Sequence, residues 1–241
     1  MKQYAAFLAI SLIASLAVSA QVKPAPSPPS PAVPSIVPVK PGSIMTPMVE
    51  QRAVDTGTFV GRKYTNKTFG FELSFPYTWL IPDSNLETAM KKNGYNLHVA
   101  DLSRMDPQFQ ADIRNFEKRV TVLLTVYRSL PGTIENGIML ISAEDLAGNP
   151  QIKDAVDYLD AIRATYKTLR LPPDFKYSET SAEKLGSMQF GFLDTSAKTG
   201  KKRLYATVRN GFAIMFTISY TNSDDLQAMR QVLTHGNFAL K

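Results

Sequence analysis

Two residues near the end of the chain, Asn210 and Gly211, constrain the fold more than any others. They separate residues 202–209 from a run in which Phe212, Ile214, Phe216 and Ile218 alternate with smaller or polar residues. A two-residue connection of this composition takes the turn whose central residues both need positive φ, and it joins strands as an antiparallel hairpin. The return strand carries one continuous apolar face. A sheet therefore has to be assembled around this hairpin, and the rest of the chain must supply partner strands and cover.

Partner strands can be read upstream. Phe69, Phe71, Leu73 and Phe75 fall on one face of a run that Pro76 stops, with Glu72 and Ser74 on the other. Tyr64-Thr65-Asn66-Lys67 reads as the turn leading into it, and Trp79 follows in a short apolar piece ended by Pro82. Over residues 119–128, Val120, Val122, Leu124 and Val126 face one way while Leu123 and Tyr127 face the other. Such a strand is buried on both sides. It pairs naturally with residues 137–142 across a turn at Pro131-Gly132. Residues 175–179 and 186–193 read as two more strands.

Helices punctuate this pattern at specific points. A short one is expected over residues 86–92, closed by Gly94. A second starts at Asp106-Pro107 and carries Phe109, Ile113 and Phe116 on one face. The clearest spans residues 150–169. Asn149 caps it, Pro150 takes its first turn and Pro172-Pro173 forbid its continuation. Its apolar stripe is Ile152, Val156, Leu159, Ile162, Tyr166 and Leu169. Asp154, Asp157 and Asp160 precede Arg163, Lys167 and Arg170, the order that suits the helix dipole. Ser223 caps a closing helix with Leu226, Met229, Val232 and Leu233 inward and Gly236 at its end. The fold class is α+β, helices on a mainly antiparallel sheet, and the doubly buried strand points to a three-layer α/β/α sandwich.

The N-terminal residues are different material. Lys2, the apolar stretch from Ala5 to Val18, and Val18-Ser19-Ala20 fit a secretory signal over residues 1–20, cleaved before Gln21. The apolar stretch is short of the roughly 20 residues that span a bilayer, so no membrane anchor is expected after cleavage. Nine of the sixteen prolines lie between residues 21 and 50, a composition that favours an extended spacer. The expected organisation is a signal at 1–20, a proline-rich linker at 21–57 and one globular domain at 58–241. The chain has no cysteine, so neither a lipid anchor on sulfur nor a disulfide enters the argument. A net charge of +6 is too mild to indicate a polyanion partner, and no nucleic-acid motif accompanies it.

The run from Tyr64 through Phe69-Gly70-Phe71 to Pro76 and Trp79 resembles the opening of PsbP-like domains. The end of the chain is similar too: an aromatic strand through Tyr220, then Ser223-Asp224-Asp225-Leu226 opening a last helix, then Phe238. The resemblance implies an α/β/α sandwich around an antiparallel sheet and, for most members, binding in place of catalysis. Members range from an extrinsic subunit of the photosynthetic oxygen-evolving complex to a nuclear-import factor that binds a small GTPase. The matched residues are strand, turn and core positions, so no functional residue carries over.

The chemistry-bearing residues point the same way. The two histidines, His98 and His235, lack a second ligand at metal-binding spacing, and His235 suits the C-terminal end of a helix. Asp154, Asp157 and Asp160 read as a solvated face near a helix N-terminus. Lys198, Lys201, Lys202 and Arg203 read as a solvated hairpin tip beside Gly200. Asn66-Lys67-Thr68 matches a glycosylation acceptor. No catalytic, metal or cofactor residue is assigned. The expected function is a non-catalytic binding or assembly module of the cell envelope, periplasmic or secreted, with a protein partner there. The alternatives are an enzyme with a dispersed Asp/Glu/Tyr site and a carrier of a small apolar ligand at the aromatic face near Trp79.

Overall fold

The computed structural model describes residues 52–82, 92, 120–129, 137–167, 171, 173–198 and 200–239. The expected signal, most of the linker, the helices over 86–92 and 106–116 (Lys92 apart), His98 and the Pro131-Gly132 turn lie outside them.

The hairpin that governs the sequence governs the structure. Strand β9 (Gly200–Arg209) turns at Asn210, φ 52°, and Gly211, φ 76°, into β10 (Phe212–Tyr220). Arg209 faces Phe212 and the pairing runs unbroken to Lys201 opposite Tyr220. Among the described residues β10 lies inside a seven-stranded sheet. On its other side come β5 (Ile138–Asp145) and then β4 (Val120–Tyr127). Beyond β9 lies β8 (Met188–Ala197), whose outer edge is shared by β6 (Lys176–Tyr177) and β7 (Ser181–Leu185). Every pairing is antiparallel. A second sheet is the meander β1 (Thr58–Val60), β2 (Lys63–Asn66) and β3 (Phe71–Ser74). Two helices are bounded within the described residues, α1 (Ala155–Tyr166) and α2 (Ser223–Thr234), and the class is α+β as expected.

Period-two alternation divides the core. Phe212, Ile214, Phe216 and Ile218 of β10 join one cluster with Tyr64, Phe69, Phe71, Leu73, Phe75, Trp79 and the α2 residues Met229, Val232 and Leu233. Ala213 and Met215 join the other with Tyr158, Leu159, Ile162 and Tyr166 of α1. The small sheet and α2 thus share one cluster with one face of β10, and α1 shares the other cluster with the opposite face. Gly191 of β8 makes room for α1: a Cβ there would stand 3.1 Å from both Ala155 Cβ and Leu159 Cδ1.

Several elements differ from expectation, each for a local reason. Tyr64–Asn66 is strand, not turn; the turn follows at 67–70 with Gly70 at φ 67°. Asn66 gives the segment its turn-like composition. It acts in the turn through its side chain, its Oδ1 accepting from the Phe69 amide at 2.9 Å, while its backbone remains in the sheet. In β4 a bulge between Val122 and Leu124 breaks the alternation. Leu123, Leu124 and Val126 all enter the first cluster, Val120 packs on the second, and Val122 is exposed. α1 starts later than expected. Asp154, not Asn149, is its cap, with Oδ1 accepting from the Val156 and Asp157 amides at 2.8 and 2.9 Å. Asn222, not Ser223, caps α2 by accepting from the Asp225 amide at 2.9 Å. β7 has no alternation to announce it because it is a largely exposed edge strand.

Residues 52–57, assigned from sequence to the linker, are fastened to the domain. The Arg52 guanidinium donates to both oxygens of Asp145, at 2.9 and 2.6 Å, and lies 4.2 Å over the Phe212 ring. The Tyr64 hydroxyl donates to the Thr56 carbonyl at 2.5 Å, and Asn66 Nδ2 to the Asp55 carbonyl at 2.8 Å.

Gly186, in the turn from β7 to β8, tests this packing. Its φ is +58° and a Cβ would sit 2.3 Å from the Thr234 carbonyl oxygen at the end of α2. That oxygen belongs to backbone and cannot swing away. Gly186→Ala is expected to lower unfolding free energy by about 2 kcal/mol, read from urea denaturation.

Candidate functional site

The polar residues singled out in the sequence disperse over the structure in place of converging. Asp154 caps α1, and Asp157 Oδ2 accepts from the Lys153 amide at 3.0 Å. Asp160 accepts from Thr180 Oγ1 at 2.6 Å and from Arg163 at 3.0 Å, and these bonds, Thr180 first, hold its carboxyl below the usual range. The three carboxylates do separate local work. Among the described residues no group of three or more His, Cys, Asp or Glu is placed to hold a metal. His235 is the C-cap of α2, and its ring Nδ1 donates to the Gln231 carbonyl at 2.8 Å. Asn66 is fully buried and bonded through both ends of its amide, so the glycosylation motif offers no free acceptor in the folded chain. Trp79 is buried against Phe75, centroid to centroid 6.1 Å, so the aromatic face near it is core.

The basic group divides: Lys198 and Lys201 are exposed at the tip as expected, whereas Lys202 and Arg203 are not. β8 and β9 are joined by a very short turn, and Ala197 already pairs with Gly200. Lys202 is therefore inside the strand, with only 5% of its surface exposed. It shares a face with Leu204 and Ala206, which belong to the α1 cluster. Arg203 points to the other face. Its guanidinium grips Asp194 at 2.7 and 2.6 Å and lies 4.6 Å over the Phe192 ring. The sequence carries a usable signal here: counted by twos from Leu204, Lys202 falls on an inward position.

Around Arg203 the structure assembles a network that no motif announces. Tyr205 is fully buried, and its hydroxyl donates to Glu183 Oε2 of β7 at 2.6 Å. Arg230 of α2 donates to that same hydroxyl from Nε at 3.1 Å and pairs with Glu183 Oε1. Burial and then the Glu183 bond push the Tyr205 hydroxyl up, while the Asp194 bond raises Arg203. Two arginines, two carboxylates and a phenol saturate one another, tying β7, β8, β9 and α2 together. A tyrosine made harder to ionise is a hydrogen-bond donor and a poor nucleophile.

An exposed apolar feature lies on the small sheet. Among the described residues β1 pairs only with β2 and nothing pairs with its outer edge, and all three of its residues are exposed. Val60 is 78% exposed. Phe59 packs its ring on Tyr64, at 5.2 Å, and near Phe75, at 6.3 Å, and is 37% exposed. Across the sheet end, Tyr77 is 89% exposed, with the Arg62 guanidinium 5.9 Å from its ring centroid. Arg62 is fixed there by donating to the carbonyls of Pro76 and Trp79. Large apolar groups on a free strand edge, with an aromatic and an arginine held ready beside them, have the composition of a protein-docking surface. No sequence signal separates these residues from core aromatics, because Phe59 and Tyr77 stand in the same aromatic-rich segment as Phe71 and Phe75.

The chain matches no protein-family profile and no curated protein. Among solved structures it is similar to the cyanobacterial PsbP protein CyanoP of Synechocystis sp. PCC 6803. That pair is 13% identical over 73% of this chain and 94% of the other, with a TM-score of 0.37. It is also similar to LpqN, a protein involved in cell envelope biogenesis of Mycobacterium tuberculosis. There the identity is 12% over 69% of this chain and 82% of the other, with a TM-score of 0.35. A PsbP-type neighbour is what the sequence resemblance leads one to expect. The superpositions are loose, and nothing about what those proteins do transfers with them.

Proposed function

We propose that the chain is a non-catalytic, exported binding or assembly module of the cell envelope, and that it docks a protein partner on the open edge of β1. The observation that carries this reading is the exposed set Phe59, Val60 and Tyr77 beside Arg62. A free edge offers backbone donors and acceptors to an incoming strand, and the flanking side chains supply apolar area and specificity. An enzyme with a dispersed site is the competing reading. Its best foundation is the Tyr205 network, whose polar groups are already spent on one another. Export rests on the expected signal, and no helix among the described residues is long and apolar enough to cross a membrane. The architecture that belongs with this reading is three layers, with α1 on one side of the main sheet and α2 with the small sheet on the other.

A photo-crosslinking amino acid placed at Val60 or Tyr77 in the producing cell tests the docking edge. Val156, exposed on α1 across the sheet, is the control position. The expected result is one discrete adduct from Val60 and Tyr77 and none from Val156. Absence of any adduct from both edge positions would remove the reading.

A further inference from the structure

Three side-chain atoms on the α1 face of the main sheet are buried together without a hydrogen-bond partner: Lys202 Nζ, Thr217 Oγ1 and Ser219 Oγ. Their residues are 5%, 1% and 8% exposed. The register brings them side by side. Ser219 of β10 stands directly opposite Lys202 of β9, and Thr217 is the next residue of β10 on that face, opposite Leu204. Thr195 of β8, also buried, flanks Lys202 from the other side. Directly opposed residues hold their Cβ atoms about 5 Å apart, so one small group can reach all three polar atoms. A buried polar group left unpaired is costly, and native interiors keep few of them. Three at adjoining positions of two central strands mark a place where a partner belongs.

We infer that Lys202, Thr217 and Ser219 form a buried binding site for a carboxylate. One ammonium and two hydroxyls supply the donors that the two oxygens of a carboxylate accept, and a single negative charge balances the single positive one. A phosphate dianion would leave excess charge in an apolar layer, where burying an unbalanced charge is expensive. The next residues on this face, Leu193, Leu204 and Leu140, are apolar and suit whatever chain the carboxylate carries.

Among the described residues no carboxylate fills the role. Glu144, on the same face, is three register rows away, about 20 Å along the strands, and accepts from the Tyr158 hydroxyl at 3.0 Å. Asp160 and Glu179 pair with Arg163, and Asp174 accepts from the Lys198 amide. Tyr166 of α1 belongs to the cluster on this side and Tyr177 of β6 packs against it, and Asp154 and Asp157 accept from backbone amides at the start of α1. Burial lowers the Lys202 amine to about 7, so the site is poised to take up a proton as a carboxylate enters.

Calorimetric titration of the full chain with acetate, octanoate, octanol and inorganic phosphate tests the assignment. Saturable binding of octanoate, with octanol and phosphate inert, is the expected result. Acetate binding as well as octanoate identifies a small free acid as ligand type, and octanoate alone identifies an acyl chain. Lys202→Met, which keeps length and adds no polarity, abolishes binding, and Thr217→Val with Ser219→Ala weakens it about tenfold. The proposal is overturned if neither carboxylate binds, if phosphate binds more tightly than both, or if Lys202→Met binds octanoate as the unaltered chain does. A crystal grown with octanoate that shows only water on the three groups overturns it as well.

Discussion

Raising the pH from 7 to 9.5 is expected to stabilise the domain, in a buffer free of carboxylates, by about 3 kcal/mol, against the usual behaviour of a protein near neutrality. The cause is Lys202, whose ammonium burial lowers from an ordinary 10.5 to about 7. Below pH 7 both folded and unfolded chains hold the proton, and stability does not depend on this group. Between pH 7 and 10.5 the unfolded chain keeps the proton while the folded chain has released it. The unfolded state then binds more protons, so stability rises with pH across that interval. Above it both forms are neutral and the gain is complete. Tyrosines then reverse the trend. Burial pushes Tyr64 up to about 12 and also raises Tyr205 and Tyr220, so beyond about pH 10 the unfolded chain loses phenolic protons first and stability falls. Urea unfolding at half-unit intervals would show a crest near pH 10. Lys202→Met should flatten the rise and add about 2 kcal/mol or more at pH 7, because it removes a buried amine that no carboxylate among the described residues pairs. A flat profile in the unaltered chain, or a Lys202→Met variant that still climbs, would assign the effect to other groups.

The same residue shows where sequence reasoning reaches and where it stops. Alternation identifies the inward faces of β3 and β10 and, apart from the exposed Val156, the described stripe residues of both helices, because burial selects side chains at period two or 3.6. The hairpin at Asn210-Gly211 is legible because only its turn type satisfies that dipeptide. What escapes depends on partners distant in sequence. A cap is decided by geometry at the helix start, and more than one polar residue before α1 and α2 has the chemistry to serve. The bulge in β4 exists because β5 holds it, and its phase inversion turns Val122 outward against the reading of an inward face. Lys202 looks like part of a hairpin tip because charge outweighs parity; the pairing of Ala197 with Gly200 makes the turn between β8 and β9 short enough to place it in the sheet. The β1 edge is silent for another reason. Exposure of Tyr77 and Val60 is a property of where the chain ends its packing, and composition does not record that.

Phe216→Ala should be the most damaging single truncation in the domain, with an expected loss of about 4 kcal/mol. Its ring meets Phe71 of β3 at 5.6 Å, Phe190 of β8 at 5.7 Å and Phe238, beyond α2, at 6.1 Å, in edge-on geometry each time. Phe238 closes the group by standing 6.0 Å from Phe71 and 5.2 Å from Phe190. One ring of β10 thus joins the small sheet, β8 and the C-terminal segment. The cavity it leaves cannot collapse without moving elements fixed by other contacts, such as Arg209 donating to the carbonyls of Phe69 and Phe238 at 2.9 and 2.7 Å. A domain holds only about 5–15 kcal/mol in total, so thermal unfolding of Phe216→Ala should fall by many degrees, and Phe216→Leu, which refills most of the volume, should recover the greater part. Tyr77→Ala makes the informative contrast. That ring is exposed, so its removal should change stability by no more than about 0.5 kcal/mol while erasing the crosslink from the β1 edge. If Tyr77→Ala instead costs as much as Phe216→Ala, the exposed ring is supporting the fold and the docking edge must be sought elsewhere. If it costs nothing and the adduct disappears, the aromatic residues of this chain divide cleanly into those that hold the sheets together and those held ready for a partner.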